Sequence, residues 1–325
     1  VREKVTINGT GFSNDKSKLV VKIGDVNAPI ISSSENSIDI WIPAGINYDQ
    51  ISVTHLGSRL TGYSSDFFML SFHGRDFQPD KVFSREYETG GPVNATFLDF
   101  LITDLNDDYR PELVASNDYG MGIYTSLNKT PENATDDLSL DSRTTSISTA
   151  TKWFAQGDFN GDGKTDIAVT RGGTPVDRIF IFTNNSTSST ISYKSTVINL
   201  EVPGSNNLQK VSVADVDNDG KPDVLVADNT DDGNSSSNNV VHIFRNTSSG
   251  GTASFSTDVY TVKISDDPSF GNGAQYIDAK DLNGDNLPDI ILAPPFGGSI
   301  KLLQNQSVPG QIKFTINGSF AVAGP

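Results

Sequence analysis

Four segments of the chain align without a gap: DLNDDYRPELVA from Asp104, DFNGDGKTDIAV from Asp158, DVDNDGKPDVLV from Asp215 and DLNGDNLPDIIL from Asp281. A constant acidic core at unequal spacing marks a repeat with insertions between copies. Each core has the same surroundings. ATFLDFLI, KWFAQG, KVSVA and AQYIDA precede the cores, and ELVAS, DIAVT, DVLVA and DIILA close them. After a polar turn come MGIYTSL, RIFIFT, VVHIF and SIKLL, and three copies add a fourth run, ISYKSTVIN, ASFSTDVYTV or IKFTINGSF. Short runs rich in β-branched and aromatic residues, bounded by Gly, Asn and Asp, read as strands. Four strands per repeat is the pattern of a propeller blade.

The cores carry chemistry. In the second, Asp158, Asn160, Asp162 and Asp166 occupy positions 1, 3, 5 and 9, with Gly163 at position 6 and Lys164 at position 7. Alternate positions set oxygen-bearing side chains on one side of a tightly wound loop, glycine permits the sharp turn, and the Lys164 carbonyl adds an oxygen. Ca²⁺ takes about six to eight hard oxygen ligands, and carboxylates this close repel without a cation between them. The third core offers Asp215, Asp217, Asp219, Lys221 through its carbonyl, and Asp223, with Gly220 at the turn. The fourth offers Asp281, Asn283, Asp285, the Leu287 carbonyl and Asp289. Its turn residue is Asn286, which tolerates the left-handed conformation better than most. The first keeps Asp104, Asn106, Asp108, the Arg110 carbonyl and Glu112, but Tyr109 stands at position 6. A bulky residue is unfavourable at positive φ, so this loop is the weakest of the four.

Turns rich in Asp, Asn and Gly are common between strands, and one such loop would imply nothing more. Three in matching flanks favour calcium. An EF-hand is excluded, because it needs an acidic residue at position 12 and flanking helices. Position 12 is Val169, Val226 or Leu292, each inside a strand-like run.

Composition narrows the remaining classes. A chain of 325 residues makes one or two domains. No run of about 18 apolar residues is present to span a membrane as a helix. Cysteine is absent, so there are no disulfides or thiolate sites, and His55, His73 and His242 lack the spacing of a zinc site. A formal net charge of −16 opposes binding to phosphate backbones, which excludes nucleic acid as the expected partner. Three Ca²⁺ ions would bring that charge to about −10. The chain begins at Val1 without a signal pattern, which says nothing against secretion.

The first seventy residues differ from the rest. VTINGTGFS (5–13), LVVKIGD (19–25), SIDIWIPAG (37–45) and ISVTHLG (51–57) alternate strands with glycine turns. Trp41, in an alternating strand, is expected in the core rather than as a sugar platform. Residues 1–72 resemble an IPT/TIG domain, an immunoglobulin-like β-sandwich, lacking the strand that usually precedes VTINGTGF. The acidic repeats resemble the FG-GAP, or VCBS, repeats of integrin-type and bacterial surface propellers. The fourth is the nearest match, with Phe270-Gly271 ahead of Asp281-Leu282-Asn283-Gly284-Asp285 and Ala293-Pro294 after the second strand. The resemblance implies an all-β chain: a sandwich, then part of a calcium-binding β-propeller over 73–325, its loops lying between the first two strands of each four-stranded blade. FQPDKVFSREYETG (77–90) reads as an outer strand with no preceding blade. Four blades and a stray strand do not close, so further blades of a longer protein are expected after residue 325.

Propellers of this type imply rigid platforms, and the favoured reading is a secreted or cell-surface binding or adhesion module for a glycan or protein ligand. The alternatives are a passive scaffold of a large surface protein and a non-catalytic part of a polysaccharide-active enzyme. No Ser–His–Asp signature, HExxH or phosphate loop occurs, and no catalytic residue is assigned. Tyr119, Tyr124, Tyr276 and Phe296 lie near turns as candidate ligand contacts, although packing is the expected role of each. Asn8, Asn94, Asn128, Asn133, Asn185, Asn234, Asn246 and Asn317 fit the N-x-S/T pattern. In a bacterial chain, the origin the repeats favour, such matches arise by chance.

Overall fold

The computed structural model describes residues 4–24, 26–42, 49–68, 97–108, 111–117, 123–128, 140–145, 151–171, 177–202, 204–205, 207–231, 237–264, 274–294 and 299–321. Tyr109, Arg110, the segment 77–90 and the 72/73 boundary lie outside these residues, and nothing is described of the Tyr119, Tyr124 or Phe296 side chains. No α-helix occurs among the described residues, and none of them forms a helix long and apolar enough to cross a membrane.

The N-terminal unit is two facing sheets. One holds β1 (Lys4–Asn8), β5 (Ser37–Trp41) and β4 (Ile30–Ser33) in the order β1-β5-β4. The other holds β3 (Val26–Asn27), β2 (Leu19–Ile23), β6 (Asp49–His55) and β7 (Leu60–Phe68) in the order β3-β2-β6-β7. Alternation builds the core. Leu19, Val21 and Ile23 point inward from β2 and meet Ile38 and Ile40 of β5. The same parity corrects the expectation for Trp41. One residue beyond Ile40, it shares the opposite face with Ser37 and Asp39, is half-buried, and stands outside the core cluster.

Four antiparallel sheets follow, each a meander of four strands. The first is β8 (Phe97–Thr103), β9 (Glu112–Asn117), β10 (Ile123–Asn128) and β11 (Leu140–Thr145). The second is β12 (Phe154–Gly157), β13 (Asp166–Arg171), β14 (Arg178–Phe182) and β15 (Ile198–Glu201). The third is β16 (Leu208–Ala214), β17 (Asp223–Asp231), β18 (Ser237–Phe244) and β19 (Tyr260–Lys263). The fourth is β20 (Tyr276–Lys280), β21 (Asp289–Ala293), β22 (Ser299–Asn305) and β23 (Phe314–Ala321). β11, which the first repeat lacked in the sequence reading, completes that blade. Successive blades sit side by side through their first strands, β8 beside β12, β12 beside β16 and β16 beside β20. This is the placement of propeller blades.

Three apolar seams join the blades. Phe154 packs with Leu105 and Val114 of the blade before it, Val211 with Ala168 and Ile181, and Ile277 with Leu225 and Val241. These three stand at the same place, four residues ahead of their acidic loop. Phe100 is the corresponding residue of the first blade, and with no blade before it among the described residues it is 64% exposed. Leu98 and Ile102, on the same face of β8, are exposed as well.

Candidate functional site

Each acidic segment forms a loop between the first and second strands of its blade: 104–112 joins β8 to β9, 158–166 joins β12 to β13, 215–223 joins β16 to β17 and 281–289 joins β20 to β21. The loops are wound by their own carboxylates. Asp158 accepts the backbone N–H groups of Asp162 at 3.0 Å and Gly163 at 2.7 Å, and Asp215 accepts those of Asp219 at 3.0 Å and Gly220 at 2.8 Å. Asp281 accepts those of Gly284 at 2.7 Å and Asn286 at 2.8 Å. The position-5 carboxylates of Asp162, Asp219 and Asp285 accept the N–H two residues on. In the first loop Asp104 and Asn106 accept the N–H of Asp108 at 3.3 and 3.2 Å.

The turn chemistry fits. Gly163 and Gly220 have φ of 87° and 83°, and Asn286 takes their place at 66°. Position 4 is left-handed as well, at Asp107, Gly161, Asn218 and Gly284. The sequence reading passed over that second turn, although Gly, Asn or Asp at position 4 of every loop signals it.

Position 9 anchors the loop to the blade. Asp166 accepts the N–H of Phe159 with one oxygen and that of Asn184 with the other, at 3.0 and 2.7 Å. Asp223 does the same with Val216 and Asn246, and Asp289 with Leu282 and Asn305. Glu112 accepts the N–H of Leu105 at 2.9 Å. All four of these carboxyl side chains are buried.

Asn184, Asn246 and Asn305 carry a function the sequence reading missed. Their side-chain amides donate backward into the preceding blade, to the carbonyls of Leu105, Phe159 and Val216, and also within their own blade, to Thr165, Pro222 and Pro288. Their amide oxygens accept the N–H of Ser186, Ser248 and Ser307. Those serine hydroxyls then close a hairpin on Ser192, Ser254 and Lys313. An Asn-x-Ser after the third strand of three consecutive repeats was the available signal. It also explains why Asn246 fits a glycosylation pattern while being fully buried.

Burial and like charge strain the loops electrostatically. Burial lifts the carboxyl of Asp158 above the usual range, an effect Lys22 partly counters. Burial, reinforced by neighbouring carboxylates, lifts Asp166 and Asp223 well above that range. Asp215 is pushed up to about 6 by burial, with Asp219 and Asp217 adding repulsion. In the exposed fourth loop burial raises the carboxyl of Asp281, but the surrounding N–H groups of Asn286, Gly284, Asn283 and Asp285 together outweigh it and hold the group below the usual range.

The third loop offers the clearest cation cradle. Asp215, Asp217 and Asp223 bring one carboxylate oxygen each within 4.8 Å of one another. Asp217 is wholly buried, and its Oδ1 has no hydrogen-bond partner. Its Oδ2 is spoken for: Arg245 Nε donates at 2.6 Å and the Gly310 N–H at 2.8 Å. Arg245 also reaches Asp219 at 2.7 Å. Three clustered carboxylates, one of them buried with an unpartnered oxygen, fit a hard cation.

A second cluster lies on the inner strands. Asp99, Trp153, Lys210 and Tyr276 stand at the same place ahead of the four loops, one per blade. Lys210 Nζ is 2.5 Å from Asp99 and lies over the Trp153 ring, 5.5 Å from its centroid. Tyr276 meets Trp153 edge to face at 6.0 Å and is 48% exposed.

Comparison with known proteins agrees with this architecture. The IPT/TIG domain model matches residues 2–68, and the FG-GAP-like repeat model matches 158–226 and 215–292. The chain therefore carries an IPT/TIG domain followed by FG-GAP-like repeats. No curated protein matches the sequence. Among solved structures, a Bacteroides thetaiotaomicron protein described as a phosphatase is 16% identical with a TM-score of 0.29, over 93% of this chain and 52% of its own. The chain thus spans about half the length of that relative. An auxiliary nutrient binding protein from Bacteroides ovatus is 13% identical with a TM-score of 0.31, over 96% of this chain and 82% of its own. The Bacillus licheniformis rhamnogalacturonan lyase PL11 is 13% identical with a TM-score of 0.38, over 98% of this chain and 67% of its own. Likeness at this level assigns no activity to the chain.

Proposed function

We propose that the chain is a calcium-stabilised binding module of a secreted or cell-surface protein, presenting its blades to a glycan or protein ligand. The observation that carries the calcium reading is the clustering of Asp215, Asp217 and Asp223, together with a buried Asp217 whose Oδ1 has no hydrogen-bond partner. Calcium would be held by Asp158, Asn160, Asp162 and Asp166, by Asp215, Asp217, Asp219 and Asp223, and by Asp281, Asn283, Asp285 and Asp289. The carbonyls of Lys164, Lys221 and Leu287 complete these sets, and 104–112 is a fourth candidate loop. The ion's role is structural, because it cancels the repulsion of carboxylates that each loop crowds together. Elemental analysis of the purified chain tests this. About three calcium ions per chain support it, and none would refute it.

The ligand surface we assign to the inner strands around Tyr276, where an exposed aromatic ring adjoins Trp153 and the Asp99–Lys210 pair. A ring face beside a carboxylate and an ammonium suits a saccharide, which offers C–H faces and hydroxyls together. A glycan array with the wild type and Tyr276→Ala tests it: signals lost in the variant support the assignment, and equal signals would remove it.

A further inference from the structure

Among the described residues, four non-glycine residues have positive φ. Asp107, Asn218 and Asn286 belong to the acidic loops, and the fourth is Arg59, at 64° in the turn before β7. Asp and Asn visit this region readily, whereas arginine does so at a cost of about 1–2 kcal/mol. Such a residue persists where its surroundings dictate it.

Those surroundings are the acidic loops. Arg59 Nη1 donates to the Gly161 carbonyl at 2.7 Å, and a Cβ on Gly161 would stand 2.9 Å from Cβ of Arg59. Val20 of β2 lies over Gly163 so closely that a Cβ there would collide with its Cγ2. Leu60 covers Gly220 in the same way, at 2.7 Å, and the Thr61 N–H donates to the Gly220 carbonyl at 3.2 Å. Lys22 Nζ donates to Thr165 Oγ1 at 2.8 Å. The sandwich thus rests on positions 4, 6 and 8 of the second loop and position 6 of the third.

The fourth loop has no such cover. Residues 281–286 are exposed, and a Cβ on Gly284 would meet nothing within 4 Å.

We propose that the N-terminal sandwich is a clamp on the second and third loops, with Arg59, Val20 and Leu60 as positioning residues for their calcium. The proposal rests on the calcium reading above. The sandwich grips carbonyls, a hydroxyl and bare glycine surface, so it recognises the wound shape of the loops. A cation holds that shape, and linkage makes the effect reciprocal: a seated sandwich tightens the ions, and the ions hold the sandwich down. Lys22 and Arg59 add positive charge that opposes a cation. The sign of a variant's effect therefore separates shape from charge. Removing Arg59 would tighten calcium if its charge dominated, and loosens it if the clamp does.

The test is a calorimetric calcium titration of the whole chain as wild type, Arg59→Gly and Leu60→Ser, alongside hydrogen exchange with calcium or chelator. Glycine suits the turn at residue 59, and Leu60 is 45% exposed, so both variants keep the sandwich folded. The clamp predicts that both variants weaken two tight sites about tenfold and leave one weaker site, the fourth loop, unchanged. It also predicts that chelator speeds exchange at residues 19–23 and 59–63 in the wild type. Unchanged or tighter binding in both variants, with exchange indifferent to calcium, would overturn the clamp alone. Absence of calcium binding in the wild type would overturn the calcium reading and the clamp together.

Discussion

Asn246 donates one amide hydrogen to the carbonyl oxygen of Phe159, 3.0 Å away in the preceding blade, and the other to that of Pro222, 2.9 Å away in its own. The residue is fully buried, and losing the amide takes a hydrogen-bond donor from both carbonyls. Asn246→Ala is expected to destabilise the blades by about 1–3 kcal/mol, the cost of buried groups left unpaired. Denaturant unfolding checks it. Expressed in a glycosylating host, the folded chain should carry no sugar at Asn246, which peptide mapping would show.

Phe154 and Phe100 occupy the same place in neighbouring blades, one 1% and the other 64% exposed. Phe154→Ala removes a side chain from the seam between the first two blades and is expected to cost about 3–5 kcal/mol. Phe100→Ala is expected to lie within about 0.5 kcal/mol of wild type, as surface changes do. Equal effects in denaturant melts would contradict the difference in burial between the two positions.

The contrast shows where the sequence was informative. Strand runs and acidic loops follow local rules, alternation and turn chemistry, so the blades and Asn286's left-handed turn were readable from residue order. The backward clip of Asn184, Asn246 and Asn305 was not, because its partners Leu105, Phe159 and Val216 are remote in sequence. Arg245 was missed for the same reason, since only folding brings it to Asp217 and Asp219. Trp41 lies off the core despite its hydrophobicity, because the parity set by Ile38 and Ile40 puts it on the opposite face.

Arg245 Nε donates to the buried carboxylate of Asp217 at 2.6 Å and pairs its charge. Without calcium, Arg245→Ala leaves Asp217 uncompensated and is expected to cost about 3–5 kcal/mol. With calcium the loss should shrink, since the ion supplies positive charge to the same loop. Melting of the variant with calcium and with chelator measures both.

In the sandwich, Asp39 accepts hydrogen bonds from Lys4, Thr6 and Ser32, which hold its carboxyl down at about 2. A depressed folded-state value stabilises above the unfolded value, near 3.8, and that contribution is lost as pH falls from there through about 2. Asp39→Asn is expected to lower the sandwich's melting temperature at pH 7 and to leave it nearly unchanged at pH 2. An equal loss at both would show that the charge is not what matters.

The most direct test of the account is a pair of calorimetric melts of the intact chain, one in saturating calcium and one in chelator. A ligand of the folded state contributes about 2.7 kcal/mol per site at a hundredfold excess over Kd, so three filled loops rival the whole stability of an ordinary domain. The transition of the blades is expected to fall by many degrees in chelator. Superimposable melts would contradict it.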